Sequence, residues 1–140
     1  MRTPILIFGL GRGVFHHGAL GIARSAGRLG IPVHRLGLER RSSTSASRYL
    51  RESRTLPREA TTEQRLEVLL ELGRRHGRPV LIPVDDAGAM FLDEHAERLA
   101  DAFLFPRQPK GLPRALASKR EMYRLCLEHD VPTPFASFPE

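Results

Sequence analysis

Apolar positions along the chain fall into two rhythms. Short continuous runs, Pro4 to Phe8 and Pro79 to Val84, and a mixed one, Pro32 to Leu36, are bounded by glycine, proline or aspartate. Such runs have the length and flanks of strands buried on both faces of a parallel sheet. Between them lie stretches with helical spacing. Ala19 to Leu29 carries small and apolar residues and meets a stop at Gly30. Thr61 begins the next helix, with Gln64 three residues on as a capping box. Leu66, Leu69, Leu70 and Gly73 trace one face of it, and Gly77 ends it. Helix resumes from Ala87 to about Leu99. A fourth short strand is expected at Phe103 to Phe105, then a short helix from Leu112 to Ala117.

Two segments are less regular. Ser42 to Ser47 is polar and reads as a surface loop. One helical turn is expected over Ser47 to Ser53, and a short strand over Arg54 to Leu56. Strand, glycine loop, helix and strand in that order make a βαβ unit. The whole alternation predicts a small, doubly wound α/β domain with a mainly parallel sheet.

Composition adds limits. The 140 residues suffice for one core, and 41% hydrophobic with 27% charged residues is a globular balance. Without tryptophan, the core must be aliphatic. The net charge of +6 invites an anionic partner. The arginines, however, are interleaved with acids and with few aromatics, which argues against nucleic acid. Cys126, the single cysteine, lies on an apolar helix stripe and cannot form an internal disulfide. No signal-peptide pattern and no run of about 20 apolar residues is present, so a cytoplasmic location and no membrane partner are expected.

Three constellations can carry chemistry. Gly9-Leu10-Gly11-Arg12-Gly13 follows the first strand, where backbone N–H groups can approach an anion. The dinucleotide fingerprint needs a third glycine where Val14 stands, and Glu39 serves as a ribose acid only in a stretched register. A glycine-rich turn or a site for a small anionic ligand remain as readings. His16 and His17 are adjacent, lack further metal-ligand partners, and fit a ligand contact or a plain loop better than a metal site. Asp85 and Asp86 follow the third core strand at the same edge. Asp86 is expected to cap the Ala87 helix, leaving Asp85 to meet a ligand amine or hydroxyl.

Lys119 and Lys110 are the two lysines among 22 basic residues. Ser118-Lys119-Arg120-Glu121 reads as a capping box opening a helix to about His129, with Met122, Leu125, Cys126 and His129 on one side. A cation in the first turn costs roughly 0.3–1 kcal/mol unless an anion is bound there. Val131-Pro132-Thr133-Pro134 then leaves in extended form.

The stretch Arg114 to Tyr123, continued to Val131-Pro132-Thr133-Pro134, resembles the junction of the ATP-grasp superfamily. There a Rossmann-like pre-ATP-grasp domain passes into the ATP-binding domain. Pro79 to Leu92, PVLIPVDDAGAMFL, is similar to the third strand and helix of the pre-ATP-grasp domain, and Phe103 to Pro109, FLFPRQP, resembles the approach to the junction. The nearest subgroup is the carbamoyl-phosphate-synthase-like or carboxylate–amine ligases. The resemblance implies a pre-ATP-grasp domain at 1–110 and the first helix of a truncated ATP-grasp domain at 111–140. It implies a ligase that activates a carboxylate as an acyl phosphate for attack by an amine, using ATP and Mg²⁺, and often dimeric. Lys119 matches the lysine that contacts ATP. Gly9, Gly11 and Gly13 match the glycine loop facing the active site, and Asp85 and Asp86 the strand-end edge near the acceptor; Arg12, His16 and His17 join them as substrate-binding candidates by position, with no catalytic residue and no Mg²⁺ ligand in this chain. The fragment alone is expected to be inactive. Asp130 departs from the family's usual glycine. Two other classes remain open. Phe15 to Val33 also looks like the opening of a sugar-nucleotide-binding, glycosyltransferase-like module, and a non-catalytic interaction domain is the third reading.

Overall fold

A computed structural model describes residues 2–11 and 17–138. Four strands, β1 (Ile5–Gly9), β2 (Val33–Gly37), β3 (Leu50–Thr55) and β4 (Val80–Pro83), form one sheet in the order β3-β2-β1-β4. Every pairing is parallel. The helices are α1 (His17–Arg28), α2 (Thr62–Arg75), α3 (Asp86–Glu94), α4 (Ala96–Leu99), α5 (Leu112–Ala117) and α6 (Lys119–Glu128). The small parallel α/β domain expected from the alternation is the fold observed.

Both faces of the sheet are covered, which is why β1 and β4 are apolar runs, whereas edge strand β3 alternates half-buried and exposed residues. Leu6 and Phe8 of β1, Leu36 of β2 and Leu81 of β4 pack in one cluster with Leu66, Leu69 and Leu72 of α2 and Phe91 and Leu92 of α3. The opposite cluster joins Ile7 and Val33 to Ala19, Ala23 and Ala26 of α1. Alanines let α1 lie close to the sheet. Gly27 is needed for the same reason, since a Cβ there would stand 2.5 Å from the Tyr49 Cβ.

Local signals placed the helix ends. Thr61 and Gln64 form the reciprocal capping box of α2. Helices α1 and α2 end on left-handed glycines, Gly30 and Gly77, and α6 ends the same way on Asp130 at φ 53°. In α6 the Val131 N–H reaches the Cys126 carbonyl at 2.8 Å, closing a Schellman turn despite the missing glycine.

Other expectations are corrected. Ser47 to Ser53 forms no helical turn; from Leu50 the chain is already β3, paired with β2 through Leu36↔Arg54 and Gly37↔Thr55. The open edge of β2 has backbone donors and acceptors to satisfy, and a strand satisfies them where a lone turn does not. The serine segment is an ordered turn in which Ser42 and Ser45 exchange side-chain hydrogen bonds at 2.7 and 3.0 Å. The helix from Ala87 breaks at His95 into α3 and α4. Phe103 to Phe105 contributes a single bridge, Leu104 to Val80, before Pro106 turns the chain away. Ser118 caps α6 through the Glu121 N–H at 3.3 Å, but the Glu121 carboxylate bonds Arg124, so the expected box is only half formed. Neither α5 nor α6 buries a side chain, and Met122 of the anticipated apolar side is exposed.

Candidate functional site

From central β1 the sheet runs to β2 and β3 on one side and to β4 on the other. The crevice beyond the carboxyl ends of β1 and β4 is therefore the switch point at which open α/β sheets bind ligands. Two of the expected site segments meet there. Asp85 lies just past β4 and reaches across to the glycine loop after β1. Its Oδ2 accepts the Gly11 N–H at 2.8 Å, and its Oδ1 accepts the Leu10 N–H at 3.2 Å. Oδ1 also accepts the Gly88 N–H at 2.7 Å, making Asp85 rather than Asp86 the N-cap of α3. The expected assignment of the two aspartates is thereby reversed. The residue in extended conformation directly before the helix caps it, and that residue is Asp85.

The clamp explains the glycines. A Cβ on Gly9 would stand 2.7 Å from Asp85 Oδ2, one on Gly11 3.1 Å, and one on Gly88 3.2 Å from Oδ1. Three glycines surround one carboxylate. Asp85 thus holds the position that an anion would take at such a loop, and the Leu10 and Gly11 donors are committed to it. This corrects the anionic-ligand reading for those two N–H groups. Arg12, Gly13 and His16 lie outside the described residues. His17 is the first residue of α1 and exposed.

Asp86 faces elsewhere. It lines a groove of about 460 Å³ between α3, α4, α5 and residues 105–110. Leu92, Phe105, Pro113 and Leu116 give this groove apolar walls, and charges of both signs rim it. Arg107 bonds Glu97 at 2.6 Å, and that hydrogen bond holds the Glu97 carboxyl below its ordinary range. Asp93 Oδ2 accepts the Gly111 N–H at 2.8 Å, fixing the left-handed turn into α5. Asp86 and Lys110 have no ion pair among the described residues.

Lys119 opens α6, exposed and without a side-chain partner among the described residues. The groove ends at Leu116 and Ala117 and does not include it. The glycine loop and Asp85 are thus brought together, Asp86 turns to a neighbouring groove, and Lys119 stands apart from both.

Sequence reasoning passed over Arg35. It is buried in β2, where burial pulls its guanidinium pKa down, and Nη1 donates to Ser53 Oγ at 3.3 Å. Together with Gly9, Gly11, Gly37 and Thr44 it lines a small cleft at the carboxyl edge. Buried Thr44 Oγ1 has no hydrogen bond. The available signal was a charge inside an otherwise buried strand. His34, Glu52 and His76 were passed over as well, and they gather at the other end of the sheet.

The fold has a solved counterpart. The chain superposes on the crystal structure of an L-amino acid ligase from Bacillus licheniformis with a TM-score of 0.66 over 96% of its length. Sequence identity is 16%, and the chain spans 32% of that ligase, about a third. No family model and no curated protein sequence matches the chain. No helix among the described residues is long and apolar enough to cross a membrane.

Proposed function

We propose that this chain is the substrate-facing, pre-ATP-grasp part of an ATP-dependent carboxylate–amine ligase. The observation that carries the reading is the fold match over 96% of the chain to part of an L-amino acid ligase. The Ser118-Lys119 junction motif supports it. In this reading residues 1–110 wall the acceptor site, and 111–140 lead into the ATP-holding domain. MgATP would supply a phosphoryl group that makes the substrate carboxylate an acyl phosphate, which an amine then attacks with loss of phosphate. Mg²⁺ finds no assigned ligands here.

The residues of this chain fit a limited share of that work. Lys119 is exposed at a helix N-terminus and unpaired among the described residues, which suits a phosphate contact. The Leu10 and Gly11 N–H groups do not suit one, because Asp85 holds them. The groove beside α3, with Asp86 and Lys110 among its lining and apolar walls, has the size and mixed character that suit a small charged substrate.

The test is ATP-dependent amide formation. The 140-residue chain alone is expected to show none, and detectable turnover would overturn that. In a protein that also carries the ATP-holding subdomains, Lys119→Ala is expected to raise the KM for ATP roughly 10-fold or more, as loss of a charged hydrogen bond does. An unchanged KM, or tight UDP-sugar binding indifferent to Lys119→Ala, would refute the assignment.

A further inference from the structure

Three polar side chains from three elements converge near the amino ends of the strands. His34 is the second residue of β2, Glu52 faces it in register on β3, and His76 caps the C-terminus of α2. The two imidazoles stack with centroids 3.7 Å apart and planes 23° apart. Each aims one nitrogen at the same carboxylate oxygen, Glu52 Oε2: His76 Nε2 at 3.1 Å and His34 Nδ1 at 3.8 Å. All three ligand atoms lie within 4.8 Å of one another.

A hydrogen-bonded cluster accounts for only half of this. The His76–Glu52 contact is a hydrogen bond, whereas 3.8 Å is too long for one. His34 is only 8% exposed, and its Nδ1 has no hydrogen-bond partner. A buried polar atom left unpaired costs about 1–3 kcal/mol. It lies 3.8 Å from the same Glu52 oxygen that His76 contacts.

We propose that His34 Nδ1, His76 Nε2 and Glu52 Oε2 bind a divalent transition-metal ion of the Zn²⁺ class. Two imidazoles and one carboxylate are a known donor set for that ion and leave a fourth position for water. With metal–ligand bonds near 2.0–2.1 Å, tetrahedral ligand atoms stand about 3.3 Å apart. The observed 3.1 and 3.8 Å bracket that separation, and the stacked rings must turn for both ring planes to meet at one ion. Nitrogen-rich donors favour Zn²⁺ or Co²⁺ over Mg²⁺ or Ca²⁺. Arg75 bonds the other oxygen, Glu52 Oε1, which leaves Oε2 for the ion and fixes the carboxylate's orientation. The charges of Arg75 and nearby Arg51 oppose a cation and temper its affinity. The site lies at the end of the sheet opposite the proposed substrate edge and stands whether or not the ligase reading does.

Co²⁺ titration of the 140-residue chain tests the proposal through visible absorption, followed by displacement with Zn²⁺. One equivalent should bind with the intense bands of a low-coordinate site, and Zn²⁺ should raise the melting temperature. Glu52→Gln and His76→Gln, both at partly exposed positions, should each weaken binding by more than the roughly 10–100-fold that loss of an outer hydrogen-bond partner costs. His17→Gln should leave it unchanged. Absence of the bands in the unsubstituted chain would overturn the site, as would binding that survives the double Glu52→Gln/His76→Gln variant or disappears with His17→Gln. The unsubstituted chain decides the first outcome even if a variant fails to fold.

Discussion

The two ends of the sheet each hold charged or titratable side chains out of full contact with water, and they handle them in opposite ways. At the carboxyl end, Asp85 accepts three backbone N–H bonds from two segments of chain, and three glycines make room for it. At the amino end, His34 Nδ1 is buried with no partner, beside a second imidazole and a carboxylate. A satisfied group holds structure together. An unsatisfied one keeps a lone pair for something else. The difference teaches that Asp85 and the Leu10 and Gly11 N–H groups, from the more motif-like stretch, bond one another, while residues with no motif leave a buried nitrogen unpaired among the described residues.

Removing the clamp should have the largest effect. Asp85→Ala takes away a helix cap and orphans the Leu10 and Gly11 N–H groups, together about 3–5 kcal/mol. Urea unfolding of the chain measures it, and a loss below about 1 kcal/mol would mean that the clamp is incidental.

The amino end should instead declare itself through pH. Burial, then the neighbouring His76, lowers the His34 pKa from 6.5 to about 4 in the folded chain. Between those values the unfolded chain binds a proton that the metal-free folded chain refuses, so stability falls as pH drops from about 6.5 to 4, by roughly 2–3 kcal/mol at most. Burial acts to raise the Glu52 pKa, but the hydrogen bond and charge of Arg75, with His76, outweigh it and leave the carboxyl lowered. Its stability contribution is present above the usual carboxylate pKa and is lost at still lower pH. Thermal melts from pH 8 to 4 should show the slope, and His34→Gln should flatten the part above pH 5. An unchanged slope would mean that His34 is not held neutral.

Crowding the clamp is a milder perturbation. Gly9→Ala puts a methyl 2.7 Å from Asp85 Oδ2 and is expected to cost about 1–3 kcal/mol. In an Asp85→Ala background most of that cost should vanish, a double-mutant cycle that ties the glycine to the carboxylate. The smallest effect is expected at Arg75→Ala, below about 1 kcal/mol, because its bond to Glu52 is half exposed. A larger loss would show that the amino-end cluster is itself a structural clamp, erasing the contrast between the two ends.

What could be read from residues alone was local. The βαβ order follows from apolar runs and glycine stops. The Thr61–Gln64 box, Gly30 and Gly77 state the helix ends within four or five residues, since caps are satisfied by near neighbours. The strand at Leu50–Thr55 was legible only at its end, where a strand was expected over Arg54 to Leu56, because an edge strand is defined by the partner it pairs with. The junction around Lys119 was legible as a resemblance, and its half-formed cap was not, because Arg124 competes for Glu121.

The sequence by itself therefore determined the class of fold, the order of its elements and most of their boundaries, through propensities and caps that act within a turn or two. Only the tertiary structure decided what the polar residues do. Asp85 finds two of its three donors 74 and 75 residues away, and His34, Glu52 and His76 meet only when β2, β3 and α2 have packed. A hydrogen bond or a metal ligand depends on distances of about 2–3 Å. Spacing along a chain does not set such distances between elements that are joined only by folding.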